Sequence, residues 1–453
     1  MNAFDLAYAV GGVLLAPVWA RKARGGWGER FGHTPALPEP AAGRKRLLLH
    51  AVSVGEVSAI RGLVAELTPH VEVVVATTTD TGLARARELF KPPVHVVRYP
   101  LDFTRSVERF LDAVRPDGVG LVELELWPNF IASARRRGIP VAVVNGRLSA
   151  RSFRGYRRIR PVMQASFGGL HLAAVQDRHY AERFIAMGAR PERVVISDTM
   201  KWDAAPAVPP GGAASLSGVA AMAADFGIDP SRPLIVAGST AEGEEAMLHE
   251  ACPPGVQLLC APRKPERFDA ATAALPGCVR RSRTAGRAGT VVGRITPVPA
   301  APPINSPTRF LLDTIGELRT AYALADVVVV GRSLVDQGGS DPIEPAALGK
   351  AVLIGPFTRN FTTVVETLSA AGGLQVVAPG ELRAVLERLL ADAPRRAAMG
   401  QAAVQCVSAH KGATRRHAEL LLRMLAEAAR PDGEGKSTAG LPASGGASVS
   451  SAV

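Results

Sequence analysis

From Arg46 to about Asp203 the chain alternates short apolar runs with helical patterns. The runs are "RLLLHAV", "VEVVVATT", "VHVVRYP", "GVGLVE", "PVAVVNG", "LHLAAVQ" and "RVVISD". Strand-length apolar runs separated by helix-length segments predict βαβ units and a parallel sheet buried on both faces. The Pro- and Gly-rich stretch "WDAAPAVPPGGAASLSGVAAM" at 202–222 interrupts this pattern and reads as an interdomain connection. A second series follows: "PLIVAGS", "VQLLCAP", "CVRRSRT", "GTVVGRI", "RFLLDT", "ADVVVVG", "AVLIGP" and "LQVVA". The expectation is therefore two α/β halves, with closing helical sequence at 395–429 and a small, polar, Gly/Ser-rich tail at 430–453 that reads as disordered. With aromatics at 5% of the chain, the cores must be built from Val, Leu and Ala.

Charge and residue chemistry narrow the function classes. A formal net charge of +12 favours an anionic partner. The basic residues are dispersed, as in Arg135–Arg137 and Arg157-Arg158, without interleaved aromatics, which disfavours nucleic acid. Cys252, Cys260, Cys278 and Cys406 have no metal-ligand spacing and the nine histidines form no HExxH-like cluster, so no metal is expected. Residues 6–20 are apolar and uncharged, and Arg21, Lys22 and Arg24 follow them. Fifteen residues fall short of the ~20 that cross a bilayer, and the charges lie on the wrong side for a secretory signal. Residues 1–24 are expected to dip into an anionic membrane surface, with everything after Arg21 held in the cytoplasm. An ordinary buried helix is the alternative.

Open α/β sheets bind ligands beyond the carboxyl ends of their strands, so the polar residues after each apolar run are the candidates. After "RLLLHAV", Ser53, Gly55 and Glu56 are expected to form a turn leading into a helix at 57–67, with Gly55 in the turn. Glu56 is then either a helix cap or a reagent. Gly238, Ser239 and Thr240 end another run, before a helix expected near Glu242; hydroxyls and backbone N–H groups there suit an anion. Arg263 and Lys264 follow "LLCAP", and "GRSLVDQGGSDPIEP" supplies a Gly338-Gly339 turn with Glu344 opening a helix.

Together these stretches resemble the 3-deoxy-D-manno-octulosonic acid (Kdo) transferases of lipopolysaccharide synthesis. The shared tags are "WGERFG" (27–32), "HAVSVGE" (50–56), "TTTDTG" (77–82), "YPLD" (99–102), "ELELWPN" (123–129), "NGRLS" (145–149), "KWD" (201–203), "GSTAEGEE" (238–245), "PRKPERF" (262–268), "DTIGEL" (313–318), "GGSDPIEPAALGKAVLIGP" (338–356) and "NF" (360–361). The resemblance implies a GT-B architecture with two Rossmann-like domains facing a central cleft. An acceptor domain would span 25–203, a linker 204–231 and a CMP-sugar donor domain 232–394. It implies an inverting transfer from CMP-Kdo to a bisphosphorylated lipid A precursor, without a metal, at the cytoplasmic face of the inner membrane. Glu56 would be the general base, and Ser239, Thr240 and Arg263 would hold the donor phosphate. Glu344 would bind the ribose, with Gly238, Lys264, Gly338, Gly339, Ser340 and Asp341 around the donor. Ser53, Gly55, Glu125, Lys201, Asp313, Thr314, Gly316, Glu317 and Asn360 are further candidates carried by the same tags.

The chain departs from the family pattern at Ala241, Lys264 and Ser340-Asp341, where His, His and His-Asn are usual, and at Ser197-Asp198, where Gly-Asn is usual. Asp341 adds a negative charge beside an anionic donor, and Lys264 is expected to compensate it as a pair. These departures leave open another CMP-ulosonic acid as donor, a slow enzyme, or a membrane-surface relative without catalysis; a same-fold transferase or epimerase using a UDP-sugar is a further alternative, against which "HAVSVGE" and "PRKPERF" argue.

Overall fold

The structure, a computed structural model, describes residues 25–205, 211–284 and 309–428, together with residues 2, 4–6, 8–9 and 208. Most of the expected membrane segment, the run "GTVVGRI" and the tail at 430–453 lie outside the described residues.

All seven runs of the first half form strands: β1 (Arg46–His50), β2 (Glu72–Thr77), β3 (His95–Arg98), β4 (Gly118–Val122), β5 (Val141–Gly146), β6 (Leu172–Val175) and β7 (Val194–Ile196). They make one parallel sheet in the order β3-β2-β1-β4-β5-β6-β7. The second half gives β8 (Leu234–Thr240), β9 (Gln257–Pro262), β10 (Val279–Arg280), β11 (Arg309–Leu311), β12 (Val327–Val330), β13 (Ala351–Ile354) and β14 (Leu374–Val376). Their order, β10-β11-β9-β8-β12-β13-β14, repeats the architecture in parallel. Leu47, Leu48 and Leu49 are all buried, as are the four valines of β12, because helices cover both faces.

Strand order reverses direction between β1 and β4 in one sheet and between β8 and β12 in the other. Each reversal leaves a crevice above the strand ends, since the two helices that follow diverge to opposite faces. The polar tags after β1, β4, β8 and β12 therefore belong to two such crevices.

Three expectations need correction. The stretch at 204–231 is more than a linker: its helix Val219–Phe226 buries Met222 and Phe226 in the C-terminal core beside Trp202. The closing sequence is two helices, Ala393–His410 and Ala413–Glu427, broken at Gly412, whose φ of 92° is left-handed. The second of these returns to the N-terminal domain, where Leu421, Met424 and Leu425 pack with Leu47 and Leu49. "KWD" works at this crossover: Trp202 anchors in one core, while the Asp203 carboxylate accepts the N–H groups of Gly412 and Thr414, both at 2.6 Å, and caps the returning helix. The third correction concerns the helix after β1. It starts at Val54 and runs to Ala59, and a second helix spans Arg61–Leu67. Gly55 is thus inside the first turn, not before it, and has no left-handed φ. Ser53 rather than a glycine ends the strand connection, since its hydroxyl can accept from the Glu56 N–H.

Candidate active site

Glu56 sits half-buried at that helix start. Its Oε2 accepts the Val52 N–H at 2.8 Å and its Oε1 the Ser53 hydroxyl at 2.9 Å. These hydrogen bonds make the carboxylate part of the helix cap and fix its position without neutralising it. Burial pushes its pKa up against these two bonds, and the Glu123 carboxylate adds to the rise. Glu125 is raised further, to about 7, first by burial and then by Glu56 and Glu123.

The loop after β4 is placed by two of the tags acting on each other. Asp102 of "YPLD" accepts the N–H groups of Asn129 and Phe130 at 3.0 and 2.8 Å, capping the helix Pro128–Arg136. Glu123 adopts φ 60°, a left-handed conformation without glycine; Ser239 (59°) and Arg332 (59°) do the same at the ends of β8 and β12. Such residues cost about 1–3 kcal/mol each and persist where surrounding contacts impose them.

Across the cleft, the Gly238 backbone packs so closely on Tyr322 that an added Cβ would lie 2.0 Å from its hydroxyl. Gly338 and Gly339 have φ of 82° and 79°, as a glycine turn requires, and their loop is tied to Gly331 and Arg332 by backbone hydrogen bonds. The helix expected near Glu242 begins at Glu244, behind Gly243. Glu244 and Glu245 were not singled out by sequence, yet both are buried and hold the crevice together. Glu244 accepts backbone N–H groups from Ala241, Arg332, Ser333 and Leu334 at 2.6–2.9 Å. Glu245 takes the Thr240 hydroxyl at 2.7 Å and Arg267 at 3.1 Å. The Thr240 proton is therefore committed inside the protein, and the neighbouring Ser239 is buried. Arg263 is exposed, and its side chain makes no hydrogen bond or ion pair among the described residues.

The compensating pair expected of Lys264 and Asp341 does not form. Lys264 is an exposed residue 3.6 Å from Glu266. The cations acting on Asp341 are Lys201 and Arg263, although burial still raises its pKa overall. Lys201 comes from the other domain, and its Nζ lies 4.3 Å from the centroid of the Phe361 ring. Burial lowers its pKa, Asp341 and Glu123 oppose that, and Arg147 reinforces it. A continuous electrostatic chain thus crosses the cleft: Glu56 and Glu123 act on Glu125, Glu123 also acts on Lys201, and Lys201 and Arg263 act on Asp341. Asp341 in turn raises Glu344, whose pKa is moved mainly by burial and held back by Arg319. Thr363 closes one side, donating to Asp177 at 2.7 Å.

Other candidates lie outside this chain. Asp313 accepts Arg280 at 2.7 Å and the Ser282 N–H at 2.8 Å, and Glu317 pairs with Arg281 at 2.9 Å and takes the Thr314 hydroxyl. Gly316 supplies a left-handed turn between them at φ 94°. "DTIGEL" is thus a brace on the β10–β11 edge. Asn360 is exposed, and its backbone N–H donates to Gly338. Ser340 is half-buried, with its N–H on the Gly331 carbonyl.

The family model for 3-deoxy-D-manno-octulosonic-acid transferase (kdotransferase) matches residues 25–204. A 3-deoxy-D-manno-octulosonic acid transferase of Bordetella pertussis is 34% identical over 90% of this chain and 96% of its own length. One from Haemophilus influenzae is 31% identical over 87% of this chain and 90% of its own. Among solved structures, Anabaena HepE in complex with UDP-glucose aligns over 85% of this chain and all of its own, with a TM-score of 0.54 at 14% identity. A glycosyltransferase from Rickettsia africae covers 84% of this chain and 99% of its own, with a TM-score of 0.56 at 10% identity. The fold is thus the two-domain GT-B architecture, and the chain is a glycosyltransferase belonging to the 3-deoxy-D-manno-octulosonic acid transferase family.

Proposed function

We propose that the enzyme transfers Kdo with inversion from CMP-Kdo to a lipid A precursor of the lipid IVA type, in lipopolysaccharide synthesis, and without a metal. The observation that carries this reading is the pairing of a desolvated carboxylate, Glu56, on one wall with an open cation, Arg263, and a partly buried Glu344 on the other. In the reaction, Glu56 accepts the proton of an acceptor hydroxyl as that oxygen bonds to the anomeric carbon. The bond from that carbon to the phosphate oxygen breaks, and CMP leaves with the electron pair, its charge met by Arg263. Glu344 is suited to accept from ribose hydroxyls.

An anionic lipid acceptor and a place on the inner membrane's cytoplasmic face are supported by the surface beside Glu56. The helix Ala150–Arg158 carries Arg151, Arg154, Arg157 and Arg158, and Ile159 and Val162 just beyond it are exposed. Its Tyr156 lies near both Glu125 and Tyr8. Exposed Trp27 and Phe31 stack at 6.2 Å, and Phe31 continues onto Phe103, which Tyr8 meets edge-on. Apolar rings beside a basic helix fit a headgroup boundary. No helix among the described residues is long and apolar enough to cross a membrane.

The test is transfer from CMP-Kdo, generated in situ, to a tetraacylated bisphosphorylated acceptor in detergent with EDTA, followed by assignment of the anomeric configuration. Glu56→Ala should lower turnover by ~10²–10⁴-fold while CMP, not UDP, still binds. Equal loss of CMP affinity would make Glu56 a cap alone, and CMP binding without product would point to another ulosonic donor or acceptor.

A further inference from the structure

His50 occupies the last position of β1, fully buried, and stacks on Tyr99 with ring centroids 3.6 Å apart. Its Nδ1 lies 3.1 Å from the carbonyl oxygen of Ala76, which can only accept, so the proton of the neutral ring is on Nδ1. The ring is neutral because burial lowers its pKa to about 3. Nε2 is left with a buried lone pair and no hydrogen-bond partner. Glu125 faces it without a hydrogen bond: its Oε2 is 4.0 Å away and accepts the Trp127 indole N–H at 2.9 Å. A lone pair aimed at a carboxylate is unfavourable, whereas one aimed at a carboxylic acid is a hydrogen bond after a small side-chain shift.

The groups facing Glu125 reinforce that choice. Glu56 reaches it from the helix after β1 and Glu123 from its own loop. Tyr99 at the end of β3 and Tyr156 on the arginine-rich helix are its other titratable neighbours, and Lys201 acts one step away, on Glu123. Three ionised carboxylates in one half-buried crevice repel, and the least costly remedy is one proton.

We propose that Glu125 is the protonated member of this trio, donating its O–H to His50 Nε2, so that Glu56 remains the ionised base. Glu125 is a positioning residue: it keeps one negative charge out of a cleft that must admit an anionic donor and acceptor. The argument rests on Glu56 being the base.

The test is the pH dependence of transfer in the full-length enzyme, read beside an infrared titration of the protonated carboxyl band. Wild type should show a rising limb from Glu56 and a falling limb near neutrality from Glu125. Its rate about 1.5 pH units above that second limb should be roughly 30-fold below the plateau. Glu125→Gln should abolish the falling limb, leave the rising limb in place because glutamine is as uncharged as the protonated glutamate it replaces, and remove the infrared band. His50→Gln, if it folds, should move the band's midpoint to lower pH. A falling limb that persists in Glu125→Gln, or a band that titrates in the ordinary glutamate range, overturns the proposal, as does a turnover loss in Glu125→Gln matching Glu56→Ala. If wild type transfers nothing, the functional reading fails, and the infrared titration still decides the state of Glu125.

Discussion

Replacing Glu244 with alanine should loosen the crevice between the loops after β8 and β12. The carboxylate is fully buried and accepts four backbone N–H groups, one from the loop after β8 and three from the loop after β12. Without it, four donors lose their partner. Each unsatisfied buried group costs about 1–3 kcal/mol, a gross loss of about 4–12. Water entering the vacated space offsets part, so the lower end, about 4 kcal/mol, is expected. For a domain of this size that lowers its melting temperature by roughly 8–16 °C. Glu244→Gln keeps one acceptor oxygen and turns an amide N–H₂ against the remaining donors, so it should fall between wild type and alanine. The assay is scanning calorimetry together with hydrogen exchange at the amides of Arg332, Ser333 and Leu334. Those amides should lose protection in the order wild type, glutamine, alanine, and CMP affinity should follow. An alanine variant melting within about 2 °C of wild type, with unchanged exchange, would refute the assignment of Glu244 as the tie between the two loops.

Gly238→Ala should place a Cβ 2.0 Å from the Tyr322 hydroxyl. Overpacking costs about 1–3 kcal/mol, and Tyr322→Phe should not restore it, because the ring carbons lie within 2.5 Å of the same point; CMP titration and a melt of the double variant check this. Lys201→Met should weaken CMP-sugar binding by about tenfold by leaving Asp341 without its cross-cleft cation. Adding Asp341→Asn should recover part of the loss; simple additivity in that double-mutant cycle would show that the two residues do not interact.

The alternation of apolar runs was enough to place fourteen strands in two series, because a parallel sheet covered on both faces demands uninterrupted Val and Leu where nothing else does. Most of the tags were legible for the same reason: they follow a strand, where side chains point into a crevice, whereas "WGERFG" precedes β1. What the tags do there was not legible. "HAVSVGE" and "KWD" supply Glu56 and Lys201 to the cleft, whereas "YPLD" and "DTIGEL" spend their carboxylates on a helix cap and an edge brace. Sequence spacing is the same for a carboxylate that meets solvent and one that meets an arginine, so only the tertiary contacts separate them. The left-handed Glu123, Ser239 and Arg332 carry no glycine or asparagine to announce them. The partner of Asp341 was misassigned because charge compensation was sought within the donor half of the chain. Lys201 lies 140 residues earlier, and the folded cleft brings it to Asp341. The sequence by itself thus determined two parallel α/β domains, their hinge and the family, since these depend on local periodicity and on which residues end each strand. Only the tertiary structure decided which acids and bases face one another, because long-range contact and burial set charge state.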